Sequence, residues 1–433
     1  MRIVLNTVDE DYVDVTTESH KIPKKSGNLE TNDCSKYLDF VSAYIDSLSE
    51  TLRPINLKIH DNPELCYEEF LAHETLTNFM KSRKGWKVTP SAYGIPTAFM
   101  AEFDGGEEGP VISFNAEYDA LKGIGHSCGH NLIATCSLAG ALAAGEAMNH
   151  FSIPGKIVLY GTPAEEGGGG KIKLLEAGAY SDHKVDINLI SHPGKVADCA
   201  LMRTNAYVSF KVEYFGKEAH AAAAPWEGIN ALDALITAYN ALSVLRQQTM
   251  PGDIIQGHIT DGGAAPNIIH AYAAGVFITR ALSKQRLEVL RKKVNKCFEA
   301  GAEATGATLK MTEIMGYDDH VPNRSLAKIS KQVMNSLGSD IPSPDEDILR
   351  GATHASTDQG NISYAMPSVS LGFKIDSVEG PHNPGFATAA RTRKSHLAAL
   401  RAGKALAVTG LEALSDKKLL KAAKKEFNDM LKN

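Results

Sequence analysis

A thiol and an imidazole lie two residues apart in the Gly-rich segment His126–Asn131, as Cys128 and His130. Further donor side chains follow along the chain: Glu165, Glu166, His192 and His382. Sulfur, imidazole and carboxylate together favour zinc or a neighbouring transition metal over calcium or magnesium. The chemistry that such a set of side chains can support is metal-assisted hydrolysis.

Each of these donors comes shortly after a predicted strand. Short apolar runs bounded by turn residues predict the strands: Val111–Phe114, Ile157–Tyr160, Ile187–Ile190 and Val369–Phe373. Helix-like stretches such as Leu132–Met148 lie between them, and this alternation predicts a mostly parallel sheet covered on both faces. Because sites in open α/β sheets form beyond the carboxyl ends of the strands, we expect the donors to meet at one sheet edge.

The adjacent carboxylates and the cysteine each have a local feature that is typical of a metal site. Consecutive side chains in an extended loop diverge, so we expect one carboxylate of Glu165 and Glu166 to hold a metal and the other to face water. Cys128 directly precedes a predicted helix, Asn131–Met148, whose amino terminus favours the thiolate over the thiol. Both features fit a metal site.

A second unit interrupts the first. Between about Thr204 and Tyr317 the predicted elements are a strand, a helix, two strands, a helix and a strand: Tyr207–Tyr214, Ala231–Gln247, Ile254–Thr260, Ala273–Thr279, Lys284–Ala304 and Thr308–Ile314. This is the β-α-β-β-α-β order of a ferredoxin-like unit. We predict a lid or dimerisation domain over residues 204–317, inserted into a discontinuous catalytic domain of residues 36–203 and 318–433. The polar, aperiodic residues 1–35 predict a flexible arm.

Composition and charge exclude several classes of function. A formal net charge of −6 gives no support for nucleic-acid binding. We see no run of about 18 apolar residues and no signal-peptide core after Met1–Asn6, so we expect a cytoplasmic protein without membrane contact. The run Gly167–Gly170 before Lys171 lacks the spacing of a phosphate-binding loop, and nucleotide binding is not expected.

The chain also resembles a known family, the dinuclear metallopeptidases that include aminoacylase, glutamate carboxypeptidase and auxin-conjugate amidohydrolases. The closest likeness is to the branch described as Xaa-Arg dipeptidase or β-alanyl-lysine dipeptidase. The resemblance runs from about residue 37 to the end. It is carried by an ordered series of motifs: His60–Leu65, Ala116–Leu121, His126–Asn131, Gly161–Glu166, Gly216–His220, Pro225–Leu232, Pro266–Ile269 and Ser356–Asp358.

The resemblance implies roles for particular residues. The implied metal ligands are Cys128, His130, Glu166, His192 and His382. They would hold one or two ions of Zn²⁺, or of Mn²⁺ or Co²⁺, with Glu165 as general base and Asp119 supporting the ligands from behind. The family's insert domain usually forms a homodimer, and His220 resembles the residue that stabilises the tetrahedral intermediate in the partner's site. Asn267 and Arg280 resemble the clamp for the substrate carboxylate.

We therefore expect metal-dependent hydrolysis of the amide bond in a dipeptide or N-acyl amino acid, by metal-activated water with Glu165 as base. Two alternatives belong to other classes. An amide-forming or acyl-transfer enzyme of secondary metabolism would use the same residues, so only its products would distinguish it. A metal-binding pseudoenzyme or scaffold is disfavoured by Glu165, because a scaffold needs no base.

Overall fold

The computed structural model describes residues 35–432 of this 433-residue chain. The predicted arm over residues 1–35 therefore lies, except for its last residue, outside the described residues. The predicted boundaries of the catalytic and insert domains stay a prediction.

Thirteen α-helices lie within residues 35–432. In chain order, α1 to α13 are Ser35–Asp61, Phe70–Lys81, His130–Phe151, Gly170–Glu176, Ala179–Asp182, Ala231–Leu245, Lys284–Thr305, Arg324–Ser336, Pro344–Arg350, Gln359–Ala365, Pro384–Ala390, Arg393–Ser415 and Lys417–Met430. The same part of the chain contains ten strands. Strands β1 to β10 are Trp86–Pro90, Phe99–Asp104, Val111–Ala116, Lys156–Gly161, Ile187–Gly194, Ala206–Phe215, Ile254–Asp261, Tyr272–Ala281, Thr308–Tyr317 and Ser368–Lys374.

The larger sheet has the strand order β1-β2-β4-β3-β5-β10. Strands β4, β3, β5 and β10 run parallel to one another, whereas β1 and β2 are antiparallel at one edge. β3 and β10 are buried almost throughout, as their continuous apolar runs require in a sheet covered on both faces. The predicted α/β fold with a mostly parallel sheet is confirmed, and β1 and β2 are strands that the sequence analysis did not predict.

Helices α1, α3 and α12 pack together over one face of this sheet. Among the described residues, α3 is the one helix long and apolar enough to cross a membrane, but 94% of its most apolar window is buried inside the fold. Its all-round apolar composition is that of a helix at the centre of a protein core. At its amino terminus, α3 carries His130 at the carboxyl edge of the parallel strands.

The insert sheet has the order β7-β8-β6-β9, and all of its neighbouring strands are antiparallel. Helices α6 and α7 pack on it around a core of its own, with α6 toward β8 and β6 and α7 reaching β9. The six elements follow the predicted β-α-β-β-α-β order within a few residues. β7 and β9 are the edge strands of this sheet.

Candidate metal centre

The predicted ligands converge at the carboxyl ends of four neighbouring parallel strands. Three groups of donor atoms each lie within 4.8 Å of one another: Cys128, His130 and His192; Cys128, Glu166 and His382; and His130, Glu165 and Glu166. The first two groups share Cys128. Adjacent parallel strands bring these segments together although up to about 250 residues separate them in sequence, as expected for a strand-edge site.

His130 is oriented from behind by a carboxylate. Its Nδ1 lies 2.9 Å from Asp119 Oδ1, and both residues are fully buried. The second oxygen of Asp119 accepts a hydrogen bond from the Glu166 amide at 2.8 Å. A carboxylate that binds one ring nitrogen leaves the other nitrogen free as a metal ligand, so Asp119 occupies the supporting position that the resemblance implies.

His192 is set in a similar way by the backbone. Its Nδ1 donates to the Pro193 carbonyl at 2.8 Å, and its Nε2 lies 3.4 Å from Cys128 Sγ. Gly129, between Cys128 and His130, has a φ of +78°, and a Cβ at this position would come within 2.6 Å of the Pro193 side chain. Glycine is therefore required here both for the backbone conformation and for the close approach of the two segments.

Left-handed backbone conformations occur at two non-glycine residues of this region, one next to the donors and one a donor itself. Ala164, directly before the two glutamates, has a φ of 59°, and His382 has a φ of 66°. His382 is tied to the cysteine loop by a hydrogen bond from its amide to the Ser127 carbonyl at 2.8 Å. Such conformations cost about 1–2 kcal/mol per residue and are found where surrounding contacts enforce a functional geometry.

The two carboxylates do not diverge as expected for an extended loop, because Glu165 and Glu166 lie in a turn. One oxygen of each lies near His130 Nε2, at 3.8 Å and 3.9 Å. Glu166 also lies 3.1 Å from His382 Nε2, which places it in the group with Cys128. Glu166 thus belongs to two of the three donor groups, and Glu165 belongs to one.

The electrostatics of the cluster favour a bound cation. Burial raises the pKa of the Cys128 thiol, which opposes the stabilisation of the thiolate by the helix terminus. Burial opposes protonation of His130, but Cys128 and Asp119 outweigh it and raise the pKa of this imidazole. The negative charge that attracts a proton to His130 also attracts a metal ion. His130 Nε2 is buried without a hydrogen-bond partner, which is the geometry of a ligand atom.

The predicted substrate-binding residues lie at opposite ends of the insert sheet. Arg280 pairs in register with Tyr207 at one end of β8. Asn267 precedes the other end of β8, where its carbonyl accepts from the Ala221 amide at 3.0 Å and a backbone bridge joins His220 to Ile268. With about 3.3 Å per residue, Arg280 lies roughly 27 Å along β8 from its first residue, Tyr272. One chain therefore does not bring Asn267 and Arg280 together.

The Arg280 end of the insert sheet contacts the candidate centre of its own chain. The Arg280 guanidinium donates to Ser356 Oγ at 2.9 Å and lies 4.8 Å from the centroid of the Tyr207 ring. Tyr207 packs edge to face against Tyr317, whose hydroxyl donates to the Glu165 carbonyl at 2.8 Å. His220 and Asn267, by contrast, are exposed.

Three buried charged residues near the donors were not predicted to have a role: Glu117, Lys171 and Asp358. Lys171 Nζ lies 2.7 Å from Glu117 Oε1 and also pairs with Asp358. From the sequence alone, Lys171 stands out only as a candidate phosphate ligand, because it follows a run of glycines. Glu117 follows β3 directly, so the rule that located the other donors at strand ends could also have found it.

Comparison with known proteins agrees with this geometry. Residues 204–306 match the family model described as the peptidase dimerisation domain. Over 88% of this chain, the sequence is 41% identical to the Xaa-Arg dipeptidase of Mus musculus, and the match spans 90% of that protein. The chain belongs to the M20 peptidase family. The predicted family membership and the prediction of a hydrolytic enzyme are therefore confirmed.

Other M20 relatives are more distant. A p-aminobenzoyl-glutamate hydrolase subunit of Escherichia coli is 31% identical over 69% of this chain and 65% of its own length. The crystal structure of a dinuclear metal-binding M20 peptidase from Bacillus subtilis superposes with a TM-score of 0.65, at 18% identity, over 85% of this chain and 99% of that one. The last comparison shows a shared fold. The roles of individual residues in this M20 chain stay predictions.

Proposed function

We propose that this M20 chain is a zinc-dependent dipeptidase that cleaves the amide bond before a basic carboxyl-terminal residue. The observation that carries the proposal is the convergence of the predicted ligands, with Glu165 beside them. The Xaa-Arg name of the mouse relative supports a basic residue at the carboxyl end of the substrate.

The proposal is tested by assaying purified protein on Xaa-Arg and Xaa-Lys dipeptides and on N-acyl amino acids. Each assay is run after chelation and again with added Zn²⁺, Mn²⁺ or Co²⁺, and amine release and metal content are measured. We expect the highest kcat/KM on Xaa-Arg with zinc. Failure to release amine from any of these substrates with any metal would contradict the proposal, whereas new amide products would favour acyl transfer.

The donor groups fit one or two ions. Five residues would hold the one or two ions: Cys128, His130, Glu166, His192 and His382. Soft sulfur with imidazole is the donor set that zinc prefers. When bound, such an ion polarises the scissile carbonyl and lowers the pKa of water.

Glu165 is placed to transfer a proton from water to the leaving amine. Its side chain is almost fully buried, and burial together with Glu117 and Glu166 raises the pKa of its carboxyl well above the usual range. A raised pKa makes a carboxylate a better proton acceptor near neutral pH. In this proposal Glu165 takes a proton from water and delivers it to the amine that leaves.

The backbone around His220 fixes its ring so that Nε2 can donate a hydrogen bond. Its Nδ1 accepts from the backbone amides of Ala222 and Ala223, at 3.2 Å each. In the neutral ring the proton is therefore on Nε2, and the residue is exposed. A donor of this kind would stabilise the negative charge that develops on the scissile carbonyl oxygen.

The separation of the ends of the insert sheet supports a homodimer as the active form. Arg280 adjoins the centre of its own chain, whereas His220 and Asn267 adjoin the other end of β8, whose first residue lies roughly 27 Å along the strand from Arg280. Strand β7 is an edge strand with exposed Ile259. Helix α6, which packs on β8 and β6, exposes Ile236 and Tyr239. Edge strands and apolar patches are surfaces that pair with a second copy. A twofold dimer would bring His220 of one chain to the other chain's centre.

Replacing Ile259 by lysine is expected to convert the dimer into a monomer, because a charged side chain on an edge strand opposes pairing. Sedimentation or light scattering should show a mass near 46.5 kDa instead of twice this value. Activity should fall, while metal content per chain stays unchanged. Ile314→Lys is the matched control, since Ile314 is exposed on β9 at the opposite edge. A dimeric Ile259→Lys protein would contradict the assigned interface.

Amidation of the substrate carboxylate is expected to weaken kcat/KM by roughly 1.5–3 kcal/mol for each charge-assisted hydrogen bond that the amide cannot form. The physical reason is that Arg280 would donate such hydrogen bonds to the free carboxylate. Parallel assays of a dipeptide and its amide measure the effect, and Arg280→Lys should reduce the difference between them. Equal efficiency on acid and amide would show that this enzyme recognises its substrate from the acyl side.

A further inference from the structure

Glu117 has one carboxylate oxygen without a hydrogen-bond partner in a fully buried position. The residue is 1% exposed at the carboxyl end of β3. Its Oε1 pairs with Lys171 Nζ at 2.7 Å, while its Oε2 has no hydrogen-bond partner. Leaving a buried charged oxygen unpaired costs more than the roughly 1–3 kcal/mol of a neutral group. Some positive group should therefore face Glu117 Oε2.

His130 faces this oxygen but does not satisfy it. Glu117 Oε2 lies 3.6 Å from His130 Nε2, beyond hydrogen-bond distance, and this nitrogen is also buried without a partner. If Nδ1 carries the proton toward Asp119, Nε2 presents a lone pair. Two lone pairs at this separation in a buried site repel each other unless a cation lies between them.

Lys171 and Asp358 fix the direction of this carboxylate. Asp358 pairs with Lys171 Nζ and accepts from the Lys171 amide at 2.8 Å, and both residues are fully buried. Asp358 thus neutralises the lysine, so the negative charge of Glu117 remains available to attract a cation. Lysine holds Oε1 while Oε2 faces His130. Groups arranged behind a ligand in this way orient it toward a metal.

The balance of charge around His130 also favours a bound cation. In the described part of the chain, the carboxylates of this cluster outnumber its single lysine: Glu117, Asp119, Glu165, Glu166 and Asp358 against Lys171. Burial of uncompensated negative charge is strongly unfavourable. Divalent cations would compensate it, and an ion near His130 Nε2 would be within reach of Glu117 Oε2.

We propose that Glu117 is a further ligand of the metal centre, in addition to the five predicted ones, and that Lys171 is the residue that positions it. This inference rests on the proposed function, because it requires that the centre binds metal. The 3.6 Å between Glu117 Oε2 and His130 Nε2 is a separation that two ligands of one ion can have, since zinc binds oxygen and nitrogen at about 2.0–2.2 Å.

The test measures metal binding to the full-length protein. Wild type, Glu117→Gln and Glu165→Gln are stripped of metal, titrated with Zn²⁺ and Co²⁺, and analysed for metal content. Glu117→Gln should bind at least one of the ions about tenfold or more weakly, since removal even of a supporting group costs roughly 10–100-fold. Glu165→Gln is the matched control, the same substitution in the same cluster, and should bind nearly as wild type.

Two further measurements distinguish a ligand from a structural residue. The visible spectrum of the Co²⁺ protein should change in Glu117→Gln, because cobalt absorption reports the ligand set. Lys171→Met keeps the carboxylate but removes the group that orients it, so the spectrum should change in the same direction by a smaller amount. In Glu117→Gln the buried lysine keeps Asp358 as its ion-pair partner, which protects the fold. A second variant, Glu117→Ala, removes the carboxylate without placing an amide in the site. It should show the same weakened binding, with circular dichroism like that of metal-free wild type.

Each outcome decides between the two proposals. Wild-type protein that binds no divalent metal would overturn the proposed function, and the assignment of Glu117 with it. Metal binding by wild type together with unchanged affinity in both Glu117 variants would overturn only the assignment of Glu117. Weakened binding with an unchanged cobalt spectrum would also overturn it, because the ligand set would then be the same without this carboxylate.

Discussion

Glu165→Gln is expected to lower kcat by about 10²–10⁴-fold, which is the usual contribution of a general acid–base group. Glutamine has nearly the same shape but does not accept the proton that Glu165 would take from water. Of the two carboxylates, Glu166 is the one that lies among the donors shared with Cys128 and His382. We therefore expect kcat to fall while the metal content, measured on the same sample, stays nearly unchanged.

The control for this experiment is removal of a predicted ligand. Cys128→Ala and His192→Ala should reduce the metal content as well as activity, because their Sγ and Nε2 atoms lie 3.4 Å apart within the donor cluster. Wild-type kcat in Glu165→Gln would show that another group accepts the proton. Loss of metal in Glu165→Gln would instead make this carboxylate a ligand.

Mixing two inactive variants is expected to restore activity. If His220 serves the partner's centre, His220→Ala and Glu165→Gln homodimers each lack one essential group at every site. A heterodimer contains one site with Glu165 from one chain and His220 from the other. Random reassortment makes about half of the dimers mixed, each with one competent site of two, so activity should approach about a quarter of wild type.

The measurement requires proof that chains have exchanged. Native mass spectrometry of differently tagged chains shows the heterodimer fraction, and activity should rise in proportion to it. A mixture of two Glu165→Gln preparations treated in the same way is the control and should stay inactive. Heterodimers without activity would mean that His220 acts within its own chain or has a structural role, although it lies at the far end of the insert sheet.

The sequence was sufficient for the parts of this molecule that depend on local patterns. Continuous apolar runs such as Val111–Phe114 and Ile187–Ile190 predicted buried parallel strands, and the order of elements from 204 to 317 predicted the insert sheet. The donors could be located because parallel strands end at the same edge. The antiparallel strand Trp86–Pro90 was missed because it is short and half exposed, so its apolar pattern is weak.

The tertiary structure alone decided which of these segments lie next to each other and how their charges balance. No local pattern shows that Lys171 is buried between Glu117 and Asp358, because the three residues come from three separate segments. The same holds for Asn267 and Arg280, which are 13 positions apart in sequence but lie at opposite ends of one sheet. Sequence determines which side chains are present and which elements they form. Strand order and register determine which of them share a site, because both arise from contacts between segments distant in the chain.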